Sequence, residues 1–179
     1  MPELLRPTTS VHRSFLAAMG EFQAEGRGGP DDHTMIGGEI RGHAPGWETP
    51  GNFERYVREL RAEALEETPR PMLLVPSTTL WWVDGAEYLG RIAVRHRLTP
   101  KLVEKGGHIG YDVRPSARRQ GHATAMLRAA LPVARGLGIT LALITCDADN
   151  EASRRVIEAN GGTLEDERDG LQRFWAPTG

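Results

Sequence analysis

The sequence predicts an α/β fold, a mixed sheet with helices on its faces. Three observations carry this. Residues 1–70 hold two stretches in which apolar residues recur at helical spacing, and residues 72–95 turn to β-rich runs. From residue 108 strands alternate with helices up to a closing hairpin. The 179 residues suit one domain, 1–179, with a helical region over 1–70 and a core over 72–176.

Each element has a local reason. Ser10 is placed to cap a first helix that carries Phe15, Leu16, Met19 and Phe22 on one side. Thr49-Pro50 reads as N-cap and first residue of a second, along which Phe53, Tyr56, Val57, Leu60 and Ala64 recur. Between them, residues 26–51 hold eight glycines and three prolines, the composition of a long loop, functional or disordered. Met72–Val75 is a short apolar run ended by Pro76 and opens the strand region. Thr78–Val83 and Tyr88–Arg95 flank Asp84-Gly85, a hairpin signal, and His108–Val113 reads as a further strand. Gln120–Arg135 carries Ala123, Met126, Leu127, Ala130, Leu131 and Ala134 on one helical stripe, with Pro132 expected to kink or loosen the last turn. Ile139–Cys146 reads as a buried strand and Glu151–Asn160 as a helix capped by Asn150 and stopped by Gly161-Gly162. Thr163–Arg168 and Leu171–Trp175 close the chain as a hairpin around Asp169-Gly170.

Composition narrows the function classes. Hydrophobic residues at 39% and charged residues at 26% exclude a disordered or collagen-like chain. A net charge of −2 and a pI near 6.3 argue against nucleic acid or an anionic membrane as partner. The lone Cys146 cannot form an internal disulfide, and no Cys/His cluster has zinc spacing, so no metal is expected. No apolar run is long enough to span a bilayer and no charged-then-apolar leader precedes the first helix, so the expected location is cytoplasmic.

One stretch carries chemistry: Val113-Arg114-Pro115-Ser116-Ala117-Arg118-Arg119-Gln120-Gly121-His122-Ala123-Thr124. It runs from a strand through a basic turn into a helix. A helix start offers unpaired N–H groups and partial positive charge, and so binds anions. Gly121 leaves those N–H groups unobstructed, Arg118 and Arg119 add charge, and Thr124 adds a hydroxyl. A diphosphate is the ligand such a turn suits. The stretch lacks the Gly-Lys-Ser/Thr ending of a Walker loop and the three glycines of a dinucleotide fingerprint.

Arg118-x-x-Gly121-x-Ala123, after a strand ending Tyr111-Asp112-Val113-Arg114-Pro115, resembles the acyl-CoA motif of the GNAT superfamily of N-acyltransferases. Asn150-Glu151-Ala152-Ser153 resembles the family's second cofactor motif, and the element order over 72–176 matches the family's fold. His108 to Tyr111 and Asn150 to Ser153 are most similar to the branch with ribosomal-protein N-terminal acetyltransferases and uncharacterised relatives. The resemblance implies a mostly antiparallel twisted sheet with one splayed parallel pair, and transfer of an acetyl group from acetyl-CoA to a primary amine. Pantetheine would pair with backbone of Tyr111 and Val113 in the splay. Arg118, Arg119, Gln120, Gly121, His122, Ala123 and Thr124 would hold the pyrophosphate, and Asn150 and Ser153 would line the thioester end. Residues 1–70 would form the substrate side, and the acceptor would be a small molecule or a protein N-terminus. A homodimer is left open.

An attacking amine must lose a proton, and His108, Asp112 and Glu104 are the candidate bases, directly or through water, with His108 first. Many relatives place a tyrosine acid seven residues after Asn150, where this chain has Ile157, and Ser153, one turn earlier, is the candidate donor to the leaving sulfur. Each residue has a plainer reading. Arg118 and Arg119 could be solvated turn charges, Asn150 and Ser153 simple helix-start residues, His108 structural, Asp112 a surface carboxylate and His122 a surface filler. Cys146 reads as core. Trp81 and Trp82 must face opposite sides of their strand, one in the core and the other open to a cleft role, and Trp47 is a lid or an anchor. A regulatory module that binds CoA without turnover is the rival function.

Overall fold

The computed structural model describes residues 1–179. In chain order the elements are β1 (Glu3–Leu5), α1 (His12–Ala24), α2 (Met35–His43), α3 (Pro50–Ala62), β2 (Ser77–Asp84), β3 (Glu87–Arg95), α4 (Pro100–Glu104), β4 (Ile109–Val113), α5 (His122–Gly136), β5 (Leu141–Asp147), α6 (Glu151–Glu158), β6 (Thr163–Arg168) and β7 (Leu171–Pro177). One sheet runs in the order β1-β2-β3-β4-β5-β7-β6. Every neighbouring pair is antiparallel except β4 and β5, which run parallel and touch at a single register pair, Ile109 and Ile144. Beyond that pair the two strands part, and their C-terminal halves form the walls of a cleft.

The sheet is covered on both faces. Met126, Leu127, Ala130 and Ala134 of α5 pack with Ile157 of α6 against Ile92, Val94, Ile109, Ile144 and Phe174. On the opposite face Phe15, Met19 and Phe22 of α1, Ile36 and Ile40 of α2, and Phe53, Tyr56 and Leu60 of α3 close over Trp81, Val83 and Tyr88. Trp81 and Trp82 therefore each enter a core, one per face, and neither lines a cleft. Trp47 is buried edge-on to Phe15 at 4.9 Å, an anchor rather than a lid. Cys146 is buried core. No helix is long and apolar enough to cross a membrane.

Three expectations change. The glycine-rich stretch contains α2, capped by Thr34, whose hydroxyl accepts from the Gly37 amide at 3.2 Å. Met72–Leu74 is an exposed turn and not a strand, because Pro69, Pro71 and Pro76 cannot supply a ladder's N–H groups. The strand that completes the sheet is instead β1, three residues paired with Trp81–Val83. Ser10 caps nothing: Thr8 accepts the Ser10 amide in a short 3₁₀ turn, and α1 begins at His12. The Asp169-Gly170 turn has φ of +51° and +75°, the mirror-image geometry that matches strand twist. α5 passes through Pro132 and finishes in i→i−3 bonds, such as Gly138 N–H to Arg135, a tightened last turn.

Candidate active site

The cleft between β4 and the β5–α6 arm has a volume of about 920 Å³. Tyr111, Asp112 and Val113 of β4, the turn from Pro115 to Arg119, Gly121 to Thr124 of α5, Asn150 and Ser153 of α6, and Glu25 and Arg27 after α1 line it. Of the candidate site residues singled out in the sequence, Gln120, His108 and Glu104 are absent from this lining. Gln120 is exposed and donates its side-chain amide to the Ser116 carbonyl at 3.2 Å.

The turn before α5 has an uncommon backbone. Arg119 and Gly121 adopt left-handed φ, +61° and +81°, and Gly121 stands at the N-cap of α5. Alternation of this kind turns successive N–H groups to one side, as in an anion nest. None of the six amides from Arg119 to Thr124 donates to a carbonyl or side chain of the protein. A Cβ on Gly121 would meet no protein atom, so the space over the nest is open. His122 is fixed from below, its Nδ1 accepting from Trp82 Nε1 at 3.2 Å. It is an anchor for the first turn of α5.

Arg118 is held away from the nest. Its guanidinium makes a two-pronged pair with Glu25 at 2.7 and 2.9 Å, donates to the Val113 carbonyl at 3.2 Å, and lies over the Phe22 ring. Arg119 is exposed and is the cation of the turn without an acid partner. The arginine of the motif thus ties the turn to α1, and backbone amides and Arg119 present the positive charge.

On the opposite wall Asn150 caps α6, its Oδ1 accepting from the Ser153 amide at 3.1 Å. The Ser153 hydroxyl itself makes no bond within the protein, so it does not spend itself on the helix start. The Tyr111 hydroxyl reaches across and donates to the Ser153 carbonyl at 3.4 Å; burial pushes its pKa up to about 12. Ile157 lies in the core, so a tyrosine-type acid at that position is absent.

Alternation along β4 sends Tyr111 and Val113 toward α5 and α6, and Asp112 to the other face with Gly110. Asp112 makes no hydrogen bond, lines the cleft, and stands opposite the buried Arg91 of β3 in the ladder. Burial raises its pKa above the ordinary 3.8, helped by Asp32 and opposed by Arg91, Arg27 and Arg118. Arg91 is itself paired with Glu39 of α2 at 3.1 Å, which also accepts from the Tyr56 hydroxyl at 2.8 Å.

His108, first among the candidate bases, is corrected by the geometry. It is 8% exposed, and its Nδ1 accepts from the Leu143 amide at 2.9 Å. That bond fixes the neutral tautomer with its proton on Nε2, which leaves no free lone pair for an incoming proton. Burial, and then the charge of Arg95, push its pKa down. His108 instead locks β4 to β5 at the apex of the splay. Glu104 is exposed on α4 beside Arg168, outside the cleft.

Sequence reading missed Glu25, Arg27, Arg91 and Glu39. Arg91 carried a signal, a cation set between apolar residues of a strand, Tyr88-Leu89 before it and Ile92-Ala93-Val94 after it. Glu25 had none, since its partner lies 93 residues away.

Residues 31–163 match the profile of the acetyltransferase (GNAT) domain. Among solved structures, MccE, a microcin self-immunity acetyltransferase bound to acetyl-CoA and AMP, aligns with a TM-score of 0.64 at 12% identity, over 98% of this chain and 92% of that one. The Salmonella typhimurium acetyl transferase that modifies the N-terminal serine of a 50S ribosomal subunit protein aligns with a TM-score of 0.60 at 18% identity, over 98% and 94%. Mycobacterium smegmatis RimJ, bound to CoA-disulfide, aligns with a TM-score of 0.64 at 17% identity, over 98% and 80%. No curated protein sequence matches the chain. At these identities the structural likeness establishes a shared fold.

Proposed function

The chain belongs to the GNAT acetyltransferase family, and on that premise we propose how this N-acetyltransferase divides its work: the Arg119–Thr124 amides bind the diphosphate of acetyl-CoA, Asp112 takes the acceptor's proton, and Ser153 meets the leaving sulfur. One observation carries this reading. Arg119 and Gly121 to Thr124, whose amides are unpaired, line the same cleft as an unpaired carboxylate and an unpaired hydroxyl. The residues present fit the donor: the nest suits a diphosphate, and the parted edges of β4 and β5 leave backbone free to pair with an extended arm.

Acetyl-CoA supplies the acetyl group as a thioester. An alkylammonium, with a pKa near 10, must shed a proton before its nitrogen can attack the carbonyl carbon. Asp112, without hydrogen-bond partners and with its proton affinity raised by burial, accepts that proton directly or through water. As the new C–N bond forms the C–S bond breaks, and the sulfur departs as a thiolate of pKa near 8.5 that the Ser153 hydroxyl can hydrogen-bond and that takes up, directly or through water, the second proton the nitrogen loses in becoming an amide. Holding amine and thioester together contributes the proximity term.

The acceptor is an amine, small or at a peptide N-terminus; the Salmonella neighbour's action on an N-terminal serine supports including the latter. A lone buried thiol suits a reducing compartment, which supports a cytoplasmic place of action.

Thiol release from acetyl-CoA with a mixed panel of amines separates an enzyme from a silent CoA-binding module. In the same assay Asp112→Asn is expected to lower turnover by about 10²–10⁴-fold, with acetyl-CoA affinity kept. The acid limb of the kcat/KM profile of the unaltered enzyme should lie above pH 3.8 and vanish in the variant. A near-normal rate in Asp112→Asn removes Asp112 from the mechanism.

A further inference from the structure

Arg95, at the end of β3, is a partly buried cation without an acid. Its Nη1 donates to the carbonyls of Gly106 and Gly107 at 2.9 and 3.1 Å, and no carboxylate pairs with it. Its neighbour on the same strand face, Arg91, is neutralised by Glu39, so the absence at Arg95 is specific. A guanidinium taken out of water without a counter-charge is costly, and proteins supply the partner or leave the place for a ligand. Burial holds its pKa below the ordinary value, and the other charge acting on it is the like charge of Arg91.

What the guanidinium faces is open space on the acceptor side of β4. It lines a cavity of about 580 Å³ between α4 and the 68–75 turn. Lys101 and His33 line the same cavity, Arg70 lines it while donating to the backbone carbonyls of Glu63, Leu65 and Glu66, and Glu63 is its one acid. The guanidinium also reaches β4: a Cβ on Gly110 would lie 3.8 Å from both Nη1 and Nη2, and 3.8 Å from Met35 Sδ of α2. Gly110 and Asp112 share one face of β4, two residues and thus about 7 Å apart. Arg95, which lines this second cavity, and Asp112, which lines the cleft, therefore lie on one face of β4 to either side of Gly110.

We propose that Arg95 binds a carboxylate of the acceptor, so that the substrate is an amine carrying an anionic group about two extended residues away. This rests on the reading of Asp112 as the base and goes beyond it by naming the class of acceptor. A dipeptide offers such a group at its C-terminus, and a longer peptide N-terminus offers it on an acidic second residue. Polyamines, which would bring a second cation to Arg95, are rejected.

The test compares matched acceptors at saturating acetyl-CoA. In the unaltered enzyme kcat/KM for Ala-Ala is expected to exceed that for Ala-Ala amide by about tenfold or more, the usual worth of a charged hydrogen bond. A second arm compares Ala-Glu-Ala amide with Ala-Gln-Ala amide; a preference there and none in the first assigns a peptide N-terminus, and the reverse assigns the free dipeptide. Arg95→Met should bring the preferred ratio close to one, and Arg95→Lys should keep part of it. Equal rates within both pairs, or spermidine as the better acceptor, overturn the proposal with no variant needed. Calorimetry of the same acceptors on CoA-loaded Asp112→Asn separates this from the base reading. A carboxylate preference in binding there stands even where Asp112→Asn keeps its turnover, and a loss of turnover without any binding preference sinks the acceptor class alone.

Discussion

Arg118 and Glu25 bind each other at the mouth of the cleft, each a little over a third exposed. At that exposure the pair adds little to stability, about 0–1 kcal/mol. Its consequence is electrostatic: Glu25 neutralises Arg118 beside the nest and sets a negative charge on the cleft wall. Glu25→Gln is therefore expected to tighten acetyl-CoA binding, by about three- to tenfold if one screened charge contact is gained, with Tm nearly unchanged. Calorimetry decides it, and weakened binding would mean that the pair's task is to hold the turn in shape. The residue scale is also where local sequence informs least. Gly121 and Asn150 were legible because a left-handed N-cap and a helix cap are chemistry of adjacent residues. His108 was misread because its role depends on the Leu143 amide, 35 residues away.

α1 fastens the cofactor turn to the acceptor side. Glu21 accepts from Arg114 Nε at 2.8 Å, from the Ser116 amide at 2.9 Å and from the Ser116 hydroxyl at 3.0 Å. Ser14 accepts from Arg114 at 3.1 Å and from the Tyr88 amide at 3.0 Å. The connection that follows α1 is stapled by Asp32, which accepts from the amides of Gly28 and Thr34 and from the Thr34 hydroxyl, and pairs with Arg27. α2 could not be read locally, since Gly37, Gly38 and Gly42 are poor helix formers. Tertiary contacts decide it: Ile36 and Ile40 are buried, Glu39 meets Arg91, and a Cβ at Gly37 would fall on the Asp32 carboxylate. Burial opposes ionisation of Asp32, but the Thr34 hydroxyl, the two amides and Arg27 outweigh it and hold its pKa at about 2. Because that value lies below the ordinary 3.8, the stabilisation is fully present above 3.8 and is lost as pH falls toward 2. Asp32→Asn should thus lower the denaturation midpoint at pH 6, with the gap to the unaltered protein closing between pH 4 and about 2. A gap that stays constant across that range would contradict the staple.

Across the whole molecule, the sheet divides the labour. Its α5–α6 face carries the nest and the sulfur end of the cleft, its α1–α3 face carries Asp112 and Arg95, and the parting of β4 from β5 opens a passage between them. The stretch from β4 to β7 was legible element by element, because caps, glycine stops and apolar spacing there agree with the tertiary fold. The first third was not, because β1 and α2 owe their form to Trp82, Arg91 and other distant partners. The central claim is that the diphosphate of acetyl-CoA sits on the amides of Arg119 to Thr124. The most direct measurement is a titration of the ¹⁵N-labelled protein with CoA, following backbone amide resonances. The account predicts large, saturable shifts at those six amides, with smaller ones at Asn150 and Ser153. Shifts that gather elsewhere while the six stay still would contradict it.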